Sequence, residues 1–276
     1  MDLTAVWLIM IKEIRDARRN RWFVLFTIVF AGLALGLSAL GLAGLGSIGI
    51  AGFGRTSASL LNLVMLIVPL IGLIMGAVSV AGEREQGTLV TLLAQPVVPE
   101  EVLIGKYLGL ASALMGTLLA GFGATAAVIA GYRGMEQLGG FLGLAAHTAV
   151  LGLAYLSIGF CISVFCRRSA TAVGLALFVW LIFAFFSDLG LIGTAVAMRL
   201  SPRDLLWLSL ANPTQTFKIA SVVDLQGNLE TLGPGGLYAT DVLGDALRPV
   251  LLGLLGLWAV VPLGLAAVCS RFRGFA

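Results

Sequence analysis

Long apolar runs separated by short polar breaks fill most of the chain. Six runs reach the roughly 20 residues that an α-helix needs to cross a bilayer. Each is apolar on all sides, which favours helices over the alternating strands of a membrane barrel. The pattern predicts an all-α integral membrane protein, with one domain over residues 1–276. Its six transmembrane helices are expected at residues 22–44, 58–81, 104–130, 141–165, 170–197 and 249–269.

Composition and charge place this bundle in lipid and orient it. The 276 residues are 59% hydrophobic and 11% charged, whereas a soluble domain has roughly 25% charged residues. Lys and Arg concentrate in alternate breaks, at residues 12–21, 84–106, 167–168 and 271–273. The positive-inside rule therefore predicts that both termini are cytoplasmic. The first run follows a long charged segment, so we expect an uncleaved first helix and no signal peptide.

The leader, residues 1–21, has helical periodicity. Trp7, Ile11 and Ile14 recur on one side, and Lys12 and Arg15 lie elsewhere around the turn. This pattern favours an amphipathic helix in the cytoplasmic interface, and the alternative is a basic leader that is merely helical. Close helix packing is predicted by glycine pairs at small-xxx-small spacing. These pairs are Gly32/Gly36, Gly72/Gly76, Gly105/Gly109 and Gly139/Gly143.

A charged island, residues 82–103, separates the second and third runs. A single short helix is expected from Thr88 to Gln95, with Leu89, Leu92 and Leu93 as an apolar stripe. Pro96 and Pro99 bound it, because proline cannot continue a helix interior. Pro99 followed by two glutamates is typical of a helix start. The island is predicted to be a cytoplasmic helix–break–helix.

The longest segment outside the runs, residues 199–248, is expected on the extracytoplasmic side. It contains too many apolar residues for a solvated linker. We expect two short helices, near 202–211 and 213–224, resting on the membrane or on a partner. Asn212 is the expected N-cap of the second, with Pro213 as its first residue.

Few residues are candidates for gating, metal binding, nucleotide binding or catalysis. Asp188 lies near the external end of the fifth run, where it is either a gating carboxylate or a group that reaches headgroups or caps a helix. His147 is the only histidine, so a metal site on this chain is not expected, and Met65, Met75 and Met115 favour core packing.

The glycine motif at 44–49 follows a membrane helix and is rejected as a nucleotide site. No nucleophile with a base and orienter can be assembled, so no enzyme activity is expected.

The island resembles the segment between the second and third spans of ABC-2-type permeases. The matching residues are Glu83, Glu85, Gly87, Thr88, Leu92, Leu93, Pro96, Gly105 and Lys106. In that family the segment is a coupling helix seated in a groove of a cytoplasmic ATPase. The resemblance implies a subunit of the bacterial inner membrane that binds no cofactor, with ATP and Mg bound by the partner. It assigns ATPase coupling to Glu83, Arg84, Glu85, Gly87, Thr88, Leu89, Leu92, Leu93 and Pro96.

A narrower resemblance within the family concerns the members that mature the copper sites of nitrous oxide reductase. It rests on residues 172–180, 186–189 and 212–214. It implies a homodimer, two ATPase copies and a periplasmic β-helical partner, although no residue pattern indicates copper or sulfur. Transport and purely mechanical transmission both remain open, as does an exporter of lipid, drug or polysaccharide. The expected partner contacts are Trp207, Asn212, Pro213, Thr214 and Phe217.

Overall fold

Helices make up nearly all of the part of the chain that the structure describes. This is a computed structural model, and it describes residues 2–43, 50–133, 138–185, 190, 193, 201–225, 238–239 and 242–273. Within these ranges there is no strand, as the apolar pattern predicts. The helices are α1 Leu3–Arg19, α2 Arg21–Ala43, α3 Ile50–Glu85, α4 Thr88–Leu93, α5 Pro99–Arg133, α6 Leu138–Phe165, α7 Ser169–Phe185, α8 Pro202–Leu210, α9 Pro213–Asp224 and α10 Leu247–Arg273.

Five of the helices are long and apolar enough to cross a membrane. They supply candidate spans at Arg21–Ala39, Ala58–Glu85, Pro99–Gly131, Gly139–Phe165 and Leu247–Ser270. The fifth predicted span, 170–197, corresponds to α7, which is apolar but has 17 described residues. Most of the remainder of that span lies outside the described residues. Multiple crossings are therefore supported, and the count of six stays a prediction.

Helices α3 and α6 form the centre of the bundle and run parallel. Glycine makes this close approach possible, because a Cβ on Gly72 would lie 3.0 Å from the carbonyl oxygen of Gly152. A Cβ on Gly76 would overlap the backbone of Leu156, and one on Gly159 would overlap that of Leu73. Small residues bring backbones together in lipid, where no hydrophobic force drives helices to associate. The two helices are therefore in direct backbone contact.

The leader forms a helix, α1, that packs on the first turns of α5. Its buried side carries Val6, Ile9, Glu13 and Ala17. A Cβ on Gly105 would lie 2.8 Å from the Cβ of Ile9, so glycine again sets the distance between helices. Trp7 points away from α5 and is exposed. The helical prediction is confirmed, but the side with Trp7, Ile11 and Ile14 is not the side that packs.

The predicted glycine pairs differ in their surroundings. Gly72/Gly76 lie against α6, and Gly105/Gly109 lie against α1. Gly143 faces the side chain of Asp224. A Cβ added to Gly32, Gly36 or Gly139 would meet nothing within 4 Å, so these three take no part in packing within the described part of the chain.

The two short helices after α7 begin and end close to the predicted positions, but α9 does not rest on a surface. It lies inside the bundle, against α6 and α10, with most of its residues buried. Its first turn meets Tyr155 of α6, and its last residue, Asp224, lies beside Gly143. Those α6 positions are about 18 Å apart at 1.5 Å per residue. Helix α9 thus runs antiparallel to α6 and starts deep in the bundle.

The burial of α9 corrects the expectation of a surface helix, and its hydrogen bonds give the physical reason. Asn212 caps the helix by accepting a bond from the N–H of Thr214. Its amide nitrogen donates to the carbonyl oxygen of Phe183 on α7, at 2.9 Å. The hydroxyls of Tyr155 and Thr214 share a further bond. Because the polar groups at the helix start are paired, the helix can be buried.

Candidate functional site

The charged island does not form a loop at its start. Helix α3 continues through Glu85, so residues 82–85 form its last turn. Gly87 then breaks the helix with a φ of +73°, a left-handed conformation that favours glycine. Helix α4 follows and ends at Leu93, two residues before the predicted end, and α5 begins at Pro99 as predicted. The helix–break–helix prediction is confirmed, and α3 continues to Glu85, beyond the predicted end of its span at residue 81.

Helix α4 has one side buried in its own chain and one side exposed. Leu89 is buried in a cluster with Val80, Leu103 and Tyr107. Val90 is 71% exposed, and Thr91 beside it is exposed too. The predicted leucine stripe is therefore directed inward at Leu89, because that position covers the ends of α3 and α5. The surface that α4 offers to another molecule is centred on Val90.

Beneath α4, four charged side chains form a cluster that we call the ion cluster: Lys12, Glu13, Glu83 and Lys106. The ammonium of Lys106 lies 2.7 Å from Glu13 and 3.0 Å from Glu83. Lys12 bonds the same oxygen of Glu83 and lies 3.3 Å from Glu13. The cluster joins α1, the end of α3 and the start of α5.

Burial makes the ion cluster sensitive to the loss of Lys106 or Glu13. The side chain of Lys106 is 1% exposed and that of Glu13 is 8% exposed. Breaking a buried ion pair leaves an uncompensated charge and costs roughly 3–5 kcal/mol. Burial alone would lower the pKa of Lys12, but its bond to Glu83 and the charges of Glu13 and Glu83 raise that pKa above its usual value. Lys12 therefore remains charged at neutral pH.

Two further charges of the island, Arg84 and Glu85, bind the turn between α6 and α7. Arg84 donates to the carbonyl oxygens of Cys166, at 2.6 Å, and Val164, at 3.3 Å. A cation at the end of a helix satisfies carbonyls that have no partner within the helix. Glu85 accepts bonds from the N–H and hydroxyl of Ser169 at the start of α7. A carboxylate is favourable at that end of a helix for the same electrostatic reason.

Together these bonds attach the last turn of α3, immediately before Gly87 and α4, to most of the bundle. Glu83 connects the island to α1 and α5, Arg84 to α6, and Glu85 to α7. The sequence interpretation assigned these three side chains to the partner ATPase. In the structure, these bonds of the three side chains go to the protein's own helices. Any influence they have on a partner therefore acts through the position of α4, and their coupling role stays a prediction.

Most of the predicted partner contacts are interior residues of the bundle. Asn212, Pro213, Thr214 and Phe217 are all buried, and Phe217 has no exposed surface. They anchor α9, so none of them offers its side chain to another protein. Trp207 on α8 is different, being 58% exposed. Of the five predicted contacts, Trp207 alone is accessible in this conformation.

Asp188 and His147 are the two remaining residues that the sequence analysis singled out. Asp188, the predicted gating residue, lies outside the described residues. His147 faces Asp224 at 3.6 Å, and Arg248 approaches the other oxygen of Asp224 at 3.4 Å. Arg248 thus links the end of α9 to α10, and the Nδ1 of His147 on α6 lies beside the same carboxylate without a hydrogen bond. Across the described residues, no group of three or more His, Cys, Asp or Glu could hold a metal ion.

Comparison with known proteins assigns the family. A family model described as "ABC-2 family transporter protein" matches residues 7–273. The chain belongs to the ABC-2 transporter family. Two curated proteins named "Probable ABC transporter permease protein NosY" are similar to it. The one from Pseudomonas aeruginosa is 34% identical over 279 residues, covering 98% of this chain and 99% of its own length. The one from Stutzerimonas stutzeri is 33% identical over 237 residues, covering 84% and 86%.

This ABC-2 permease is a membrane component of an ABC transporter rather than its ATPase. Family membership implies an ABC ATPase partner and dimerisation. The apolar helices agree with a multi-pass membrane protein.

The geometry explains why the ABC-2 resemblance includes an acidic residue at the start of the island and a Gly-Lys pair after it. Glu83 and Lys106 form an ion pair, and Gly105 beside Lys106 leaves room for α1. Glu13, the third member of this contact, was missed by the sequence interpretation. The sequence pattern could have indicated this residue, because Glu13 lies on the same helix face as Ile9 and Ala17. An acid on the apolar face of a leader helix needs a buried cation.

Proposed function

We propose that this chain is the membrane subunit that couples ATP hydrolysis on a separate cytoplasmic ATPase to work across the bacterial inner membrane. The proposal rests on the position of α4, which has one exposed side and one side packed against the bundle. Its outer side exposes Val90 and its inner side buries Leu89, and the α3 turn that precedes it is bonded to α1, α5, α6 and α7 through Glu83, Arg84 and Glu85. A short helix fastened in this way passes any force on its exposed side to the bundle. ATP and Mg are bound by the ATPase, and this chain binds no cofactor.

The charge distribution supports a cytoplasmic position for the island. Among the side chains that the structure describes, seven exposed cations surround that end of the bundle, whereas Arg203 and Arg248 are exposed at the other end. Cytoplasmic ends of membrane helices carry an excess of Lys and Arg. Both termini are then cytoplasmic, and α8 faces the periplasm. The seven cations are Lys12, Arg15, Arg18, Arg19, Arg21, Arg167 and Arg168.

A route for transmission runs along the α3–α6 pair. Glu83 and Arg84 connect the island to these helices, which are in backbone contact through Gly76 and Gly159. Nearer its middle, α6 bonds the start of α9 through Tyr155 and Thr214. Displacement of α4 would therefore move α9 and, through it, the periplasmic surface that bears Trp207. Either a substrate crosses or this motion is passed to a periplasmic partner.

The name of the two relatives supports a more specific proposal. A NosY-type permease would work as a homodimer with a NosF-like ATPase and a periplasmic β-helical NosD-like protein, in copper-site maturation of nitrous oxide reductase. Trp207 is then the candidate contact for the periplasmic partner, and Asp188 remains a candidate for gating. The alternative is an exporter of lipid, drug or polysaccharide without such a partner.

Affinity purification from native membranes, with mass spectrometry of bound proteins, tests the proposal. We expect an ABC ATPase and a β-helical protein to be recovered with the wild type. Val90→Asp should reduce ATPase recovery about tenfold or more, because it places a charge in the apolar centre of a contact, without changing thermal stability. Arg15→Ala, which alters an exposed residue of α1, is the control and should leave recovery unchanged. Normal ATPase recovery with Val90→Asp would contradict coupling through α4, and an ATPase without a β-helical protein would favour the exporter.

A further inference from the structure

A groove opens on the membrane-facing side of the bundle near the island end. It has a volume of about 520 Å³ and lies between α2 and α7, over α3. This volume is within the roughly 300–1,000 Å³ that small-molecule sites occupy. Its floor is apolar, formed by Phe26, Ile71, Ile74, Met75, Leu110 and Val173.

The upper rim of the groove is polar, in contrast with its floor. Glu13, Asp16 and Asn20 from α1 and the α1–α2 junction lie there, and Trp22 lines the groove at the start of α2. Tryptophan is enriched at the boundary between hydrocarbon and headgroups. From Ser79 at the rim to Ile71 on the floor, α3 advances about 12 Å, close to the roughly 15 Å depth of one leaflet's hydrocarbon. A polar rim over an apolar floor of this depth matches one lipid within a leaflet.

The rim also has a charge preference. Two carboxylates line it, those of Glu13 and Asp16. Glu13 is paired with Lys106 at 2.7 Å, whereas Asp16 has the weaker ion pair, at 3.7 Å from Lys12, and its side chain is 54% exposed. An amine of a ligand would therefore be attracted to Asp16. Arg19 and Arg21, which flank Asn20 and are exposed, suit a phosphate beside that amine.

We propose that the groove binds one bilayer phospholipid with an amine in its headgroup, the ammonium at Asp16 and an acyl chain over Ile74 and Val78. The lipid fills the space between α2 and α7 and touches Glu13, the member of the ion cluster that lines the rim. The inference needs no ATPase or cargo, so it can succeed or fail independently of the proposed function.

Lipid retention tests the proposal. The full chain is extracted from membranes of mixed phosphatidylethanolamine and phosphatidylglycerol, and retained phospholipid is identified by native mass spectrometry. We expect about one phosphatidylethanolamine per wild-type chain. Val78→Trp fills the groove and should abolish retention, whereas Leu119→Trp, at an exposed position of α5 away from the groove, should preserve it. Equal retention by both variants, or no phosphatidylethanolamine on the wild type, would overturn the proposal.

A second variant tests the headgroup contact without risk to folding. Asp16→Asn should lower the preference for phosphatidylethanolamine over phosphatidylglycerol about two- to fivefold, the effect of one partly exposed charge pair. Asp16→Glu should retain the preference. An unchanged preference with Asp16→Asn would overturn the assignment of the amine. Disulfide formation between Val78→Cys chains of two copies would show instead that the groove is an interface with a second copy, and would also overturn the proposal.

Discussion

The ammonium nitrogen of Lys106 lies 3.0 Å from a carboxylate oxygen of Glu83, which joins the start of α5 to the last turn of α3. The same nitrogen lies 2.7 Å from Glu13 on α1. One buried cation thus connects three helices directly beneath α4. In an ABC-2 permease this places the most interior charge of the described bundle next to the proposed contact with the ATPase.

Loss of Lys106 is expected to be strongly destabilising. Lys106→Met leaves the buried carboxylate of Glu13 without its closest cation, so the free energy of unfolding should fall by roughly 3–5 kcal/mol. Lys12→Met is the matched control, since Lys12 is half exposed and should cost about 1 kcal/mol or less. Chemical unfolding of the purified protein in detergent measures both.

A double substitution separates an ionic role from simple packing. Adding Glu13→Leu to Lys106→Met removes the unpaired carboxylate, and Glu83 keeps Lys12 as its partner. Stability should then recover substantially, because apolar residues often replace a buried ion pair without loss. Additive destabilisation of the two substitutions would contradict this account.

The contact between α3 and α6 gives a second prediction. A Cβ at Gly76 overlaps the backbone of Leu156, which cannot move aside as a flexible side chain can. Gly76→Ala should therefore cost roughly 1–3 kcal/mol and, by separating the two helices, reduce transmission from α4 to α9. Gly123→Ala on α5 has nothing within 4 Å and should change stability by less than about 1 kcal/mol. Thermal unfolding compares the two; equal effects would contradict a tight α3–α6 contact.

Local sequence signals predicted the helix starts but not the partners of the charges. Pro99 with its two glutamates, and Asn212 before Pro213, each mark a helix start through interactions within a few residues. Glu83 and Lys12 are 71 residues apart, so no local pattern pairs them. The burial of α9 could not be predicted from sequence either. An apolar side chain such as Phe217 is equally compatible with a membrane surface and with the interior of a bundle. Its burial became evident only from the three-dimensional positions of the α6 and α7 side chains around it.

The anchoring of α9 gives a third prediction. Asn212→Ala removes both the N-cap and the bond to Phe183, so α9 should detach more readily from α7. Loss of a cap costs roughly 0.5–2 kcal/mol, and loss of a buried bond adds about 1–3 kcal/mol. Hydrogen exchange of α9 amides should accelerate by at least about tenfold, since each 1.4 kcal/mol is a factor of about ten. Ser201→Ala removes the exposed cap of α8 and should leave α9 exchange unchanged.

Thiol labelling gives the fourth prediction, which concerns the accessibility of the two α8–α9 residues that were expected to meet a periplasmic partner. After replacement of Cys161, Cys166 and Cys269, single cysteines are introduced at Trp207 and at Phe217, and an impermeant maleimide is added to intact cells. Trp207→Cys should react from outside, because the side chain is exposed, and Phe217→Cys should not, because it is enclosed by the bundle core.

Two controls at exposed arginines make each outcome of the labelling decisive. Arg203→Cys on α8 should react from outside, and Arg15→Cys on α1 only in inverted vesicles, if the island end is cytoplasmic. Labelling of Phe217→Cys from outside would mean that α9 leaves the bundle. A reversed pattern at the two arginines would overturn the orientation. Reaction at Arg203→Cys without reaction at Trp207→Cys would place the indole in lipid, where it could not bind a periplasmic protein, and α8 would then lose its one accessible candidate contact.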